Sequence, residues 1–239
     1  MWRRTAEGRE LTFHLAGINN QNFIMRDEQT GSYWQQVSGR AISGPMQGAQ
    51  LELVPSDELS FALWKKESPD GSIFISSNDK AKFEKADWEK DVGKLRTVLD
   101  FPGTGLASRA VVMGIEHNGE SRAYLLEKLL QQKVALDRLG GDPLALVVGP
   151  DGRSVRVFLT SLPNKSSMTK SGGDVVVELF RGEGEPWRLI DSVKGSEWNF
   201  QGCATSGAFQ GQCLTHVDVL KDYWFDWRQY HPRTSVFRR

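Results

Sequence analysis

Along most of the chain, apolar and polar positions alternate with a period of two, and turn-forming residues interrupt them every few positions. This pattern predicts short strands joined by tight turns. Leu11-Thr12-Phe13-His14-Leu15 and Phe23-Ile24-Met25 flank Gly17-Ile18-Asn19-Asn20, which reads as a hairpin. Asp27 and Thr30-Gly31-Ser32 make a turn whose side chains can bond their own backbone, and that turn delivers Trp34 inward. Ala41-Ile42 and Leu51-Glu52-Leu53-Val54 are expected as short strands around Gly44-Pro45 and Gly48. From Asp57 to Lys66 the period lengthens. Leu59, Leu63 and Trp64 then share one side of a short helix, capped by Ser56 or Asp57 and ended by Ser68-Pro69-Asp70-Gly71. Ser72 to Ile75 returns to strand.

Residues 76–100 are polar, with both signs of charge interleaved, and read as a linker between a first unit (1–75) and a second (101–239). In the second unit, His117-Asn118-Gly119-Glu120 between apolar arms is a strong hairpin signal. A short helix is expected over Leu125 to Gln132 and is broken by Gly140-Gly141-Asp142-Pro143. Hairpins follow over 144–158 and 175–190, separated by a polar loop from Asn164 to Gly173. The predicted class is mainly β, antiparallel hairpins with a few short helices, with β-rich α+β as the fallback.

The opening stretch recurs. A displacement of 164 places Asp27, Gly31, Ser32 and Trp34 on Asp191, Gly195, Ser196 and Trp198. After the loss of one residue, a displacement of 163 places Gly39, Ala41, Ser43, Gly44, Gln47, Gly48, Leu51 and Trp64 on Gly202, Ala204, Ser206, Gly207, Gln210, Gly211, Leu214 and Trp227. This predicts two tandem repeats with pseudo-symmetry, and the recurring residues, Thr30 included, read as frame. Function is then sought where the copies differ. Those positions are His14, Asn19, Asn20, Asn22, Arg26, Gln35, Gln36 and Arg40 in the first copy, and Cys203, Cys213, His216, Tyr223, Asp226 and His231 in the second. Phe101 to Asn164 has no counterpart ahead of the first copy. A segment upstream of Met1, a protein partner or self-association through the exposed sheet edge is expected to supply it.

Composition narrows the functional classes. Lysine plus arginine equals aspartate plus glutamate at 30 each, so there is no broad positive field and no nucleic-acid partner is expected. No apolar run approaches the roughly 20 residues of a transmembrane segment. Eight tryptophans and 24 glycines suit strands and turns rather than a helical bundle. Two readings of chemistry are available. Cys203, Cys213 and His216, with His231, have the residue types of a soft-metal site for copper or zinc, set against a buried thiol pair or a cross-strand disulfide. Asp226, Trp227, Arg228, Tyr230 and His231, with Arg233 nearby, have those of an acid/base cluster, set against an aromatic anchor with a polar rim. No nucleophile elbow, phosphate loop or His-Glu-x-x-His helix is present.

Gly114-Ile115-Glu116-His117-Asn118-Gly119-Glu120-Ser121-Arg122-Ala123-Tyr124, Gly140-Gly141-Asp142-Pro143, the twice-used Gly-x-Ala-x-x-Gly-x-x-x-Gly-x-x-Leu and His231-Pro232-Arg233-Thr234 together make the chain resemble the bacterial and archaeal domain-of-unknown-function family numbered 3179, in tandem form. The resemblance implies an extracytoplasmic or membrane-anchored home and no defined activity. It also exposes a departure: where many relatives carry Pro-Leu-Cys after the Gly-Gly-x-Pro turn, this chain has Leu144-Ala145-Leu146-Val147-Val148-Gly149-Pro150. The expected function is a non-catalytic extracytoplasmic binding or assembly module. The alternative is a metal-binding or redox protein using Cys203, Cys213 and His216.

Overall fold

A computed structural model describes residues 1–74, 88–163, 174–184 and 186–238. The protein is built mainly of antiparallel β-sheets with short helices. It divides into two compact units that interleave along the sequence. Unit 1 comprises Met1–Ser56, Gly93–Ala110 and Tyr223–Pro232, and unit 2 comprises Asp57–Val92, Val111–Asp222 and Arg233–Arg239. The helix Phe61–Glu67, which follows the first Gly-rich hairpin, falls in unit 2, and the helix Trp224–Tyr230, which follows the second, falls in unit 1.

In unit 1, β1 (Thr5–Ala6) and β2 (Arg9–Glu10) form a small hairpin, and β3 (Phe13–Asn19), β4 (Asn22–Asp27), β5 (Tyr33–Gln35) and β6 (Arg40–Ser43) form an antiparallel meander. The first turn falls later than expected. Asn20 and Gln21 take left-handed backbone, while Gly17 lies at a bulge inside β3. Leu11, Trp34, Ala41, Met46 and Leu51 form the core. Residues 51–54 are not a strand; Leu51 N–H bonds Gly39 O at 2.9 Å, which closes the Gly-rich loop on the core. The helix Trp224–Tyr230 buries Trp224, Phe225 and Trp227, and Trp224 Nε1 donates to Thr104 Oγ1 at 3.0 Å.

Unit 2 holds β7 (Val111–His117), β8 (Glu120–Leu125), β9 (Val134–Leu139), β10 (Asp142–Val148), β11 (Val155–Leu159), β12 (Ser161–Leu162), β13 (Val175–Val176), β14 (Leu179–Arg181), β15 (Leu189–Asp191), β16 (Glu197–Trp198), β17 (Thr215–Val217), β18 (Leu220–Tyr223) and β19 (Ser235–Val236). The sheet orders are β17-β11-β10-β9, β18-β7-β8-β19, β14-β15-β16 and β12-β13. Asn118-Gly119 turns the β7–β8 hairpin with both residues at positive φ, as its sequence requires. Strand β9 is absent from the sequence expectation because Asp137 breaks its apolar pattern. That carboxylate is nonetheless partnered, accepting from Tyr124 Oη at 2.7 Å and from Arg122 Nη1 at 2.5 Å. Tyr124 is fully buried, and its burial together with Asp137 drives the phenol upward in pKa.

The helix Phe61–Glu67 starts later than expected. Ser60, rather than Ser56 or Asp57, caps it by accepting Leu63 N–H, and the Asp57 carboxylate is engaged by Arg156. Ser72 to Phe74 is not a strand. Of the expected 76–100 linker, residues up to 87 lie outside the described residues, Trp88–Val92 is a helix, and Gly93 to Asp100 belongs to unit 1, where Gln21 accepts from Val98 N at 3.3 Å and Arg109 Nε donates to Leu95 O at 2.6 Å. The expected polar loop, from Asn164 to Gly173, lies outside the described residues.

Candidate functional site

The recurring motif builds two corners with the same bonds. In unit 1, Asp27 Oδ2 accepts from Trp34 Nε1 at 2.8 Å and from Ser32 N at 3.2 Å, and Oδ1 accepts from Thr30 N at 2.5 Å. In unit 2, Asp191 Oδ2 accepts from Trp198 Nε1 at 3.1 Å and from Ser196 N at 2.9 Å, and Oδ1 accepts from Lys194 N at 2.7 Å. Ser32 Oγ accepts Met46 N–H, and Ser196 Oγ accepts Phe209 N–H. Burial pushes both aspartates upward in pKa, but the converging donors outweigh it, so both carboxyls titrate below their ordinary value. A Cβ on Gly44 or Gly207 would sit 2.7 Å from the Cα of Ser32 or Ser196, at positive φ in each case. Asp27, Ser32 and Trp34, like Asp191, Ser196 and Trp198, are buried with their polar atoms bonded internally, while Thr30, Gly31 and Gly195 complete the turns. The carboxylates, the serine hydroxyls and the indole N–H groups of these corners are thus spent on one another and on the backbone.

The remaining sequence candidates scatter. Cys203 and Cys213 are bonded to each other as a disulfide, so neither sulfur is a free thiolate for a metal. His216, on β17, places Nε2 at 3.1 Å from Asp57 Oδ1. His231 is in unit 1, its ring stacked on Trp227 with centroids 3.6 Å apart. Among the described residues no three His, Cys, Asp or Glu side chains gather to hold a metal ion. Asp226 accepts from Asn22 Nδ2, and Arg233 is exposed in unit 2. Trp64 lies half-buried beside Phe61 in unit 2, whereas Trp227 is buried in unit 1.

Sequence reading missed a charge cluster in unit 2. Arg156 is 7% exposed and grips two carboxylates. Its Nε and Nη2 donate to Asp57 Oδ2 at 2.9 and 2.7 Å, and its Nη1 and Nη2 donate to Glu67 at 2.9 and 2.8 Å. The guanidinium lies over the Phe200 ring, 4.6 Å from its centroid. The His216 contact and the Arg156 hydrogen bonds, opposed by burial, hold Asp57 down at about 2. One signal was available: a charged residue inside the apolar run Val155-Arg156-Val157-Phe158 calls for buried partners. Nothing in the spacing named Asp57 and Glu67 as those partners.

Glu67 and Phe200 also line a cleft of about 600 Å³ in unit 2, walled by Leu63, Lys66, Pro150, Pro186, Trp187, Arg188, Glu197, Trp198, Asn199, Gln201 and Thr205. Trp187 meets Phe200 edge to face at 6.0 Å and donates from Nε1 to Val148 O at 3.3 Å. Arg188 and Glu197 are only loosely paired at 3.8 Å, so both retain capacity for a ligand. The residues at the corresponding first-copy positions are Phe23 for Trp187, Ile24 for Arg188, Tyr33 for Glu197 and Ile42 for Thr205. At these four positions the cleft carries residues that differ from those of the earlier stretch.

A family model described as "Protein of unknown function (DUF3179)" matches residues 1–234. No curated protein and no solved structure matches the chain.

Proposed function

We propose that this chain, which belongs to the DUF3179 family, is a non-catalytic binding module built from two copies of one Gly/Trp hairpin unit, with its ligand site in the unit 2 cleft. One observation carries the reading: the corner residues common to both hairpins, Asp27, Ser32 and Trp34 with Asp191, Ser196 and Trp198, are buried and bonded internally, while the cleft, Trp198 apart, takes Trp187, Arg188, Glu197 and Thr205 from positions where the two hairpins differ. An aromatic wall of Trp187 and Phe200 beside Arg188, Glu197, Asn199 and Gln201 matches a saccharide. A sugar ring offers apolar C–H faces to stack and hydroxyls for planar donors and acceptors. The disulfide suits an oxidising, extracytoplasmic compartment. Calorimetric titration with neutral and acidic oligosaccharides tests the reading. At least one sugar class binds the wild type and binds Trp187→Ala at least about tenfold more weakly; a folded protein that binds none of them, or an indifferent variant, overturns it.

A second reading, assembly, is favoured by β3. It is an edge strand of its sheet, and its Leu15 and Ile18 are 59% and 66% exposed. The occupant is a second copy of the chain, pairing β3 antiparallel to β3 across a two-fold axis. Sedimentation over a concentration series shows a dimer that Ile18→Lys disrupts; a monomer throughout refutes this reading.

A further inference from the structure

The two hairpins close in the same way but are linked differently. Arg40 faces Gln50 across an isolated antiparallel bridge in unit 1, and Cys203 faces Cys213 across the corresponding bridge in unit 2. The surrounding backbone bonds match: Leu51 N to Gly39 O at 2.9 Å and Leu214 N to Gly202 O at 2.8 Å, Ala41 N to Ala49 O at 2.9 Å and Ala204 N to Gln212 O at 2.8 Å. The hairpin thus closes in unit 1 without a covalent bond. What the disulfide adds in unit 2 is a tether on the loop 199–205, which contributes Asn199, Phe200, Gln201 and Thr205 to the cleft. The loop is wound around Cys203. Asn199 Oδ1 accepts Cys203 N–H at 2.9 Å, Asn199 N–H donates to Cys203 O at 2.9 Å, and Thr205 N–H donates to Glu197 O at 2.7 Å. Cys213 is exposed and Cys203 half-buried, so a nucleophile can reach the bond from solvent.

We infer that the Cys203–Cys213 disulfide is a reversible redox latch on the cleft loop, opened by a dithiol. A thiolate of the dithiol attacks Cys213 Sγ and displaces the Cys203 thiolate, forming a mixed disulfide. The second thiol of the reductant then attacks its own sulfur in that mixed bond and releases the Cys213 thiolate. Two electrons and two protons pass to the two cysteines, and the dithiol leaves as a disulfide. The inference rests on the binding reading for its consequence only, since freeing the loop would alter the cleft wall.

Amide hydrogen exchange with and without dithiothreitol, alongside thiol counting, tests the latch without any ligand, so a failed saccharide titration and a failed latch are separate results. Under native conditions two thiols appear, the amides of 199–205 exchange at least about tenfold faster, and those of Asp191 and Ser196 stay unchanged. The double variant Cys203→Arg/Cys213→Gln, which carries the unit 1 pair, folds and shows the same fast loop with or without reductant. The inference is overturned if the bond resists reduction in the folded protein, if loop exchange does not respond, if reduction loosens the whole unit, or if the double variant fails to fold or keeps the slow loop.

Discussion

Set side by side, the hairpin that starts at Asp27 and the one that starts at Asp191 share an interior and differ in their surroundings. Each carboxylate gathers an indole N–H and backbone N–H groups, and each serine hydroxyl accepts an amide from the Gly-rich loop. Outside that corner they diverge: Leu15 is 59% exposed while Leu179, at the corresponding position, is 2% exposed within a core that includes Phe158, Leu162 and Val177. One hairpin thus serves as an outer sheet in unit 1 and as a covered layer in unit 2. A motif conspicuous in sequence is here a packing device used in two different settings.

The comparison can be broken most sharply at the corners. Asp27→Ala and Asp191→Ala each strand a buried indole N–H and backbone donors, and each should cost about 3 kcal/mol in urea denaturation; a cost confined to one corner would show that the two are not equivalent. Arg156→Met removes the partner of two largely buried carboxylates and should cost about 3 kcal/mol, with no counterpart in unit 1. Leu179→Ala should cost about 2–4 kcal/mol, against under about 1 kcal/mol for Leu15→Ala. Equal costs would mean that the β3 face is covered in solution.

Acid tests the charge cluster. Because Asp57 titrates at about 2 in the folded protein, below its ordinary 3.8, it contributes stability that is present above about pH 4 and lost as pH falls toward 2. Asp57→Asn should flatten that part of the stability curve. Asp151 is held at about 2 by Ser154 and Ser60 against burial and acts in the same window, so part of the acid loss should survive in the variant.

Legibility in the sequence followed the range of the interactions. Asn118-Gly119, the apolar arms of β10 and β11 and the helix Leu126–Gln132 are set by neighbours, and they were readable. The Asp-Gly-Ser-Trp stretch stood out in the sequence because it recurs, but the bonds it makes did not. Arg156 with Asp57 and Glu67 was not, since its partners lie 99 and 89 residues away and only the fold brings them together. The cleft was hidden for the same reason, its walls running from Leu63 to Thr205. The unit to which each helix belongs is not written in its own pattern, which records that it has an apolar face and not what covers it. Cys203 and Cys213 were legible as a cross-strand pair, but a metal site could be weighed against that pairing only until the two sulfurs were placed together.

The central claim is that shared positions hold the fold while unshared ones bind. Its most direct test is to transplant unit 1 side chains into the cleft, as Trp187→Phe/Arg188→Ile, and to measure stability and saccharide binding in the same preparation. Stability should fall by no more than about 1 kcal/mol, while affinity falls at least about tenfold. Unaltered binding by the transplanted variant would contradict the account.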